Sequence, residues 1–195
     1  MIRTAFLVAV AVAIAIGGGA GSVWLALNTI DGVGTLTVGR WTAYPDSGTP
    51  DIDPYGKARF ARDAELPLGR AEGLYFLADS DSSGQTLRRN CAYRLEGTVP
   101  VARFWTLYAA DRVRSPTQGE RTARVAGLHS RQVLRRADNS FDIAVGRHPA
   151  PGNWLPLEGV GDMVLVLTLY DTPVANGADE RDIEMPRIYR TGCDA

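Results

Sequence analysis

The chain has 195 residues with 45% apolar and 22% charged side chains, a composition that excludes an intrinsically disordered or low-complexity protein. A formal net charge of −1 excludes a global electrostatic pull toward nucleic acid, and two histidines are too few for a self-sufficient histidine metal site. Lys57 is the only lysine, so nearly all positive charge is arginine, which reflects base composition more than function.

The first element is an apolar run. Ala5 to Leu27 contains no charged residue, and these 23 residues match the roughly 20 needed to span a bilayer. Arg3 precedes the run and Asp31 follows it. The positive-inside rule then predicts a cytoplasmic N-terminus at residues 1–4 and the rest of the chain outside the inner membrane, in a periplasm. The alternative is a cleaved signal peptide with its cut near Gly18-Gly-Ala20. The uncleaved anchor is preferred because Val23-Trp-Leu-Ala-Leu27 carries the apolar run past that point, and Trp24 suits a membrane interface. Both readings export the rest of the chain to an oxidising compartment, where Cys91 and Cys193 are expected to pair.

Residues 28–34 read as a polar linker, and residues 35–195 as one domain. Thr35–Tyr44 alternates as a strand and stops at Pro45. Asp53-Pro54 is a helix-start signal, with Asp as the cap and Pro at the first helical position. It opens a helix over Pro54–Ala64, with Ala58, Ala61 and Ala64 along one side. Arg59, Arg62 and Asp63 lie on the other side, and Lys57 sits awkwardly on the apolar one. Strands follow at Ala71–Ala78, Cys91–Gly97 and Ala102–Ala109, with a turn at Asp79–Gly84. Asp111–Ala126 reads as a polar, arginine-bearing loop. Short strands around Gln132–Arg135 and Ser140–Val145 flank an Asp138-Asn139 hairpin turn.

Gly152-Asn-Trp-Leu-Pro reads as a sharp approach to the most confident strand, the continuously apolar Met-Val-Leu-Val-Leu-Thr-Leu-Tyr run that ends at Asp171. The tail is acidic, with Asp179, Glu180, Asp182 and Glu184, and a last strand is expected over Met185–Tyr189. About eight short strands with regular turns and one short helix predict an all-β fold: an antiparallel, jelly-roll-like β-sandwich behind an N-terminal transmembrane helix.

Five stretches together carry a family resemblance. They are Asp53-Pro-Tyr55, Leu68-Gly-Arg-Ala-Glu-Gly73, Ala102-Arg-Phe-Trp-Thr-Leu-Tyr, Gly152-Asn-Trp-Leu-Pro and Leu165-Val-Leu-Thr-Leu-Tyr-Asp-Thr-Pro173. From Thr35 to Cys193 the chain resembles the small, exported members of the bacterial family known as domain of unknown function 1214. That resemblance implies a jelly-roll-like sandwich, often found as the C-terminal half of larger proteins, and implies no activity and no catalytic residues.

The residues themselves offer several chemistries. Asp79-Ser-Asp-Ser-Ser-Gly84 opens like a calcium loop, but position twelve is Asn90 rather than a bidentate Glu, so a β-turn is the better reading and no metal is expected. No cofactor motif is recognised. His129 lies beside Ser130 without a nucleophile elbow, and His148 falls in a Pro/Gly-rich loop. Glu72, Glu96, Asp142 and Asp162 lie on or near strands, where a glycosidase pair would have to be assembled. Arg112, Arg114, Arg121, Arg124, Arg131, Arg135, Arg136 and Arg147 make the middle of the chain locally basic.

Trp41, Tyr44, Trp105 and Trp154 are the aromatics able to line a ligand groove. Asn153, Trp154, Trp105 and Tyr44 are the candidate binding residues, with Trp154 foremost. The expected function is a non-enzymatic, membrane-anchored envelope module that holds a glycan, a lipid headgroup or a protein partner, without nucleic acid. The alternative is a carbohydrate-active or other hydrolase using carboxylates on the sandwich.

Overall fold

A computed structural model describes residues 2–29, 35–62, 67–111, 126–177 and 183–194. Helix α1 runs over Ile2–Thr29. Its segment Ile2–Leu25 has 24 residues and a mean hydropathy of 2.2, enough by length and composition to cross a membrane; a signal sequence shows the same features.

The rest is mostly β, in two sheets. The first contains β1 (Leu36–Val38), β2 (Trp41–Ala43), β3 (Gly73–Ala78), β5 (Phe104–Asp111), β6 (Gly127–His129) and β9 (Met163–Tyr170), in the order β1-β2-β3-β9-β5-β6. The second contains β4 (Cys91–Gly97), β7 (Phe141–Gly146), β8 (Asn153–Pro156) and β10 (Arg187–Cys193), in the order β10-β4-β7-β8. One core joins them. Trp41, Phe76, Trp105 and Leu107 of the first sheet pack in the same buried cluster as Tyr93, Leu95, Phe141 and Ile143 of the second. The Trp105 and Phe141 rings meet at 5.5 Å between centroids. The strand orders establish a sandwich-like pair of sheets, not the jelly-roll winding expected within it.

The apolar β9 lies where its composition requires, paired to β3 on one side and β5 on the other. Strand β4 keeps its expected bounds and alternation, with Cys91, Tyr93 and Leu95 buried between exposed Ala92 and Arg94. Gly73 opens β3 at φ 154°, where a Cβ would stand 2.1 Å from the Leu169 carbonyl oxygen, so only glycine permits this approach to β9.

Several expectations are corrected. Thr35–Tyr44 is a hairpin rather than one strand: Gly39, at φ 64°, reverses the chain between β1 and β2. Gln132–Arg135 is not a strand, and β6 forms earlier, at Gly127–His129, beside β5. Asp138-Asn139 does form a turn. The Asp138 carboxylate accepts from the Ser140 amide and hydroxyl, and Asn139 takes φ 67°. That turn carries the chain from one sheet to the other instead of closing a hairpin. Asn153–Pro156 is a strand of its own and pairs parallel with β7, the one parallel pairing among the described residues of an otherwise antiparallel fold. A 3-10 turn at Pro173–Asn176 was not expected. The last strand is longer than expected and ends in the disulfide.

Helix α2 (Pro54–Arg62) starts as its sequence dictates, with the Gly56 amide donating to the Asp53 carboxylate at 3.0 Å. Its orientation is corrected. Ala58 and Ala61 are exposed, while Gly56 is buried and Phe60 is half-buried against Tyr44. Ala64, Asp63 and most of the basic loop, including Arg112, Arg114, Arg121 and Arg124, lie outside the described residues, as do Asp179, Glu180 and Asp182.

The C-terminal strand is also held from the first sheet. The buried Trp41 indole donates Nε1–H to the Pro186 carbonyl at 2.7 Å. Trp41→Phe keeps most of the ring and leaves that carbonyl unpaired. It is expected to cost about 1–3 kcal/mol in a urea unfolding titration, and an unchanged midpoint would show the bond to be dispensable.

Candidate functional site

Parallel pairing of β8 with β7 sets Trp154 directly opposite Ala144. With Leu155 turned into the core, Trp154 projects to the outer face of the four-stranded sheet. That face is made of small residues here: Ala92 on β4, Ala144 and Gly146 on β7, and Ala150 beyond it. They floor a cleft of about 230 Å³ in which Trp154 stands half-buried. The indole is fixed by its own Nε1–H, which donates to the Gly146 carbonyl at 3.1 Å.

The rim carries Arg94, Arg147, His148 and Asp194. Each has a polar neighbour. Arg94 pairs with Glu96 at 3.2 Å and approaches Asp142 at 3.9 Å. Arg147 donates to the Gly159 carbonyl. His148 Nε2 lies 3.7 Å from Asp194, on an exposed loop as its sequence context suggests. The cleft therefore presents an aromatic wall, an apolar floor and a paired polar rim.

The other candidates separate from it. Asn153 is adjacent but structural: its amide donates to the Leu134 and Asp142 carbonyls and accepts from the Leu134 amide, tying the 133–134 segment to the sheet edge. Trp105 is in the core, and its Nε1 has no hydrogen-bond partner among the described residues. Arg135 lies 5.9 Å from its ring centroid. Tyr44 packs edge-on against Phe60 at the far end of the other sheet. The expected four-residue aromatic groove is thus not one groove, because alternation along β5 turns Trp105 inward.

Of the carboxylates, Glu96 and Asp142 do meet, directly opposite each other across β4 and β7. Arg136 reaches both, at 3.6 and 3.4 Å, and Arg94 bridges them from the other side. Glu72 instead caps the turn before β3, accepting from the Gly69 amide, and Asp162 lies 3.6 Å from Arg88. The second histidine, His129, packs against Phe104, and its Nδ1 is buried without a partner among the described residues.

The calcium-like turn is a salt-bridged β-turn. Asp81 is buried; one carboxylate oxygen accepts from the Ser83 amide and hydroxyl and the Gln85 amide, and the other lies 3.0 Å from Arg190 Nε. Burial raises the Asp81 pKa. The Ser83 hydroxyl, the Gln85 amide and the Arg190 charge outweigh it and hold the pKa below its ordinary value. Arg190 also donates to Gln85 and to the Thr86 carbonyl and lies over the Tyr93 ring. This turn and β10 enclose a second cleft, of about 480 Å³. Sequence reading missed this arrangement, since nothing local links residue 81 to residue 190.

A solved structure shares the fold. The VPA0106 protein of Vibrio parahaemolyticus superposes with a TM-score of 0.56 at 18% identity, over 90% of this chain and 43% of its own. An uncharacterised protein from Burkholderia cenocepacia gives 0.41 at 20% identity, over 76% of this chain and 45% of its own. The chain thus spans less than half the length of either. No curated protein matches it. The model of the family described as "Protein of unknown function (DUF1214)" matches residues 72–174, from the turn before β3 through β9, and the chain belongs to that family.

Proposed function

We propose that this protein is a non-enzymatic envelope module that binds a glycan on the outer face of its four-stranded sheet. In this reading α1 is an uncleaved anchor in the inner membrane, residues 1–4 face the cytoplasm and residues 35–195 lie in the periplasm. The apolar α1 and the Cys91–Cys193 bond support export to an oxidising compartment. The observation that carries the binding reading is the Trp154 indole, fixed by its own hydrogen bond and half-buried over an alanine and glycine floor. A flat aromatic face in a shallow apolar cleft with polar groups at its rim suits the C–H face of a sugar ring and its peripheral hydroxyls.

The opposed Glu96 and Asp142 favour the hydrolase alternative. Arg94 and Arg136 tie both carboxylates into one ion-pair network, so their oxygens already face guanidinium groups rather than an open sugar site.

The test is retention of the full chain, in detergent micelles, on an array of immobilised neutral and acidic oligosaccharides. Binding that Trp154→Ala weakens by about thirty-fold, the ratio for a central anchor near 2 kcal/mol, is the expected result. No retention on any oligosaccharide, or equal retention of the variant, would overturn the reading.

A further inference from the structure

Two clefts border β10, and one residue lies in both. Thr191 lines the Trp154 cleft and also the larger cleft between β10 and the Asp81 turn. Its position has a local cause. Pairing of β10 with β4 proceeds in register from Arg187 to Arg190, then slips, so that Gly192 is the next residue to find a partner, opposite Ala92. Thr191 is the extra residue of a β-bulge, a device that re-aims a side chain out of the ladder. Here it leaves Thr191 exposed on the ridge where the clefts join.

The two clefts differ in chemistry. The Trp154 side is aromatic and apolar. The other side adds hydroxyl and amide groups, from Ser82, Ser83, Gln85 and Thr191, to the apolar surface of Ile188 and Tyr189. Its ionic groups face each other, with Asp81 and Arg190 at 3.0 Å, and Arg190 also donates to the Gln85 side chain and the Thr86 carbonyl. Among the described residues neither cleft gathers a cluster of unpaired charges: Arg94 meets Glu96 at the Trp154 rim, and Arg147, which donates to a carbonyl, stands there without a carboxylate. By size, the Trp154 cleft of about 230 Å³ falls below the usual ligand site of about 300–1,000 Å³ and suits a single ring, whereas its neighbour of about 480 Å³ falls within that range. The ridge between them is braced at both ends of the bulge, by the Arg190 pairs before it and the Cys91–Cys193 bond after it.

We infer that the two clefts are subsites of one groove for an uncharged oligosaccharide chain, which stacks one ring on Trp154, crosses Thr191 and hydrogen-bonds its following units along Ser83 and Gln85. This rests on the glycan reading of the Trp154 cleft and adds to it the ligand's length, neutrality and second subsite.

The test uses the full chain in detergent micelles and the β-1,4 oligomers of N-acetylglucosamine from one to six units, with affinity measured calorimetrically for the native protein, Thr191→Trp and a control, Thr37→Trp, at an exposed position on β1. Affinity is expected to rise at least about ten-fold between one unit and four. Thr191→Trp, which blocks the ridge, should abolish that rise, and Thr37→Trp should leave both the rise and the single-unit affinity unchanged. A flat dependence on length with binding still sensitive to Trp154→Ala overturns the groove but leaves the single-ring site standing. Unchanged chain-length dependence in Thr191→Trp also overturns it. No binding at any length overturns both.

Discussion

Reducing the Cys91–Cys193 bond is expected to lower stability by about 4 kcal/mol, because it restores to the unfolded chain the freedom of a loop that spans 102 residues. For a domain of this size that corresponds to a fall of about 10 °C in the thermal midpoint. The comparison is thermal unfolding of the sheet signal with and without a thiol reductant, repeated on Cys91→Ala/Cys193→Ala. A loss under about 1 kcal/mol in both would show that other contacts already hold the tail. Those contacts are visible: Asn90 and Asp194 exchange hydrogen bonds beside the disulfide, and Trp41 holds Pro186 at the strand's other end.

Arg190→Met is expected to destabilise the fold by about 3–5 kcal/mol, since it leaves the buried Asp81 carboxylate without its cation. Asp81→Asn/Arg190→Met should recover part of the loss, because the uncompensated charge is gone. If the double variant is as weak as the single, packing of the arginine over Tyr93 matters more than charge. The pH dependence follows from the depressed Asp81 pKa. A carboxylate held below its ordinary value of 3.8 contributes its full stabilisation above that value. The contribution is lost as the pH falls through the lower folded value. Urea midpoints of the native protein should therefore fall more steeply below pH 3.8 than those of Asp81→Asn. Parallel curves would refute that role for the pair.

Both predictions concern β10, and that strand also walls both clefts. The disulfide and the Asp81–Arg190 pair fall on either side of the bulge that exposes Thr191. Stability and binding are thus expected to be lost together when the tail is released, which a glycan-binding assay under reducing conditions would register.

Local physics made much of this protein readable from its residues. The apolar run before residue 28, the Asp53-Pro54 helix start, the alternation of Cys91–Gly97 and the doubly apolar Met163–Tyr170 each depend on neighbours within a few positions, and each is found as its pattern requires. The disulfide was legible because only two cysteines exist to pair. What the residues left undecided were relations across the fold. A Gly39 turn and a continuing strand have the same composition around Thr35–Tyr44, and φ at one glycine decides between them. Asn153–Pro156 has no periodicity that could reveal a parallel partner, because that pairing is chosen by β7. Trp105 and Trp154 look alike as candidates. Alternation on two different strands turns one into the core and leaves the other facing out over alanines. The meeting of Asp81 with Arg190, and the bulge that places Thr191 between two clefts, exist only once residues a hundred positions apart are brought together, since ion pairing and strand register are set by tertiary contact rather than by local sequence.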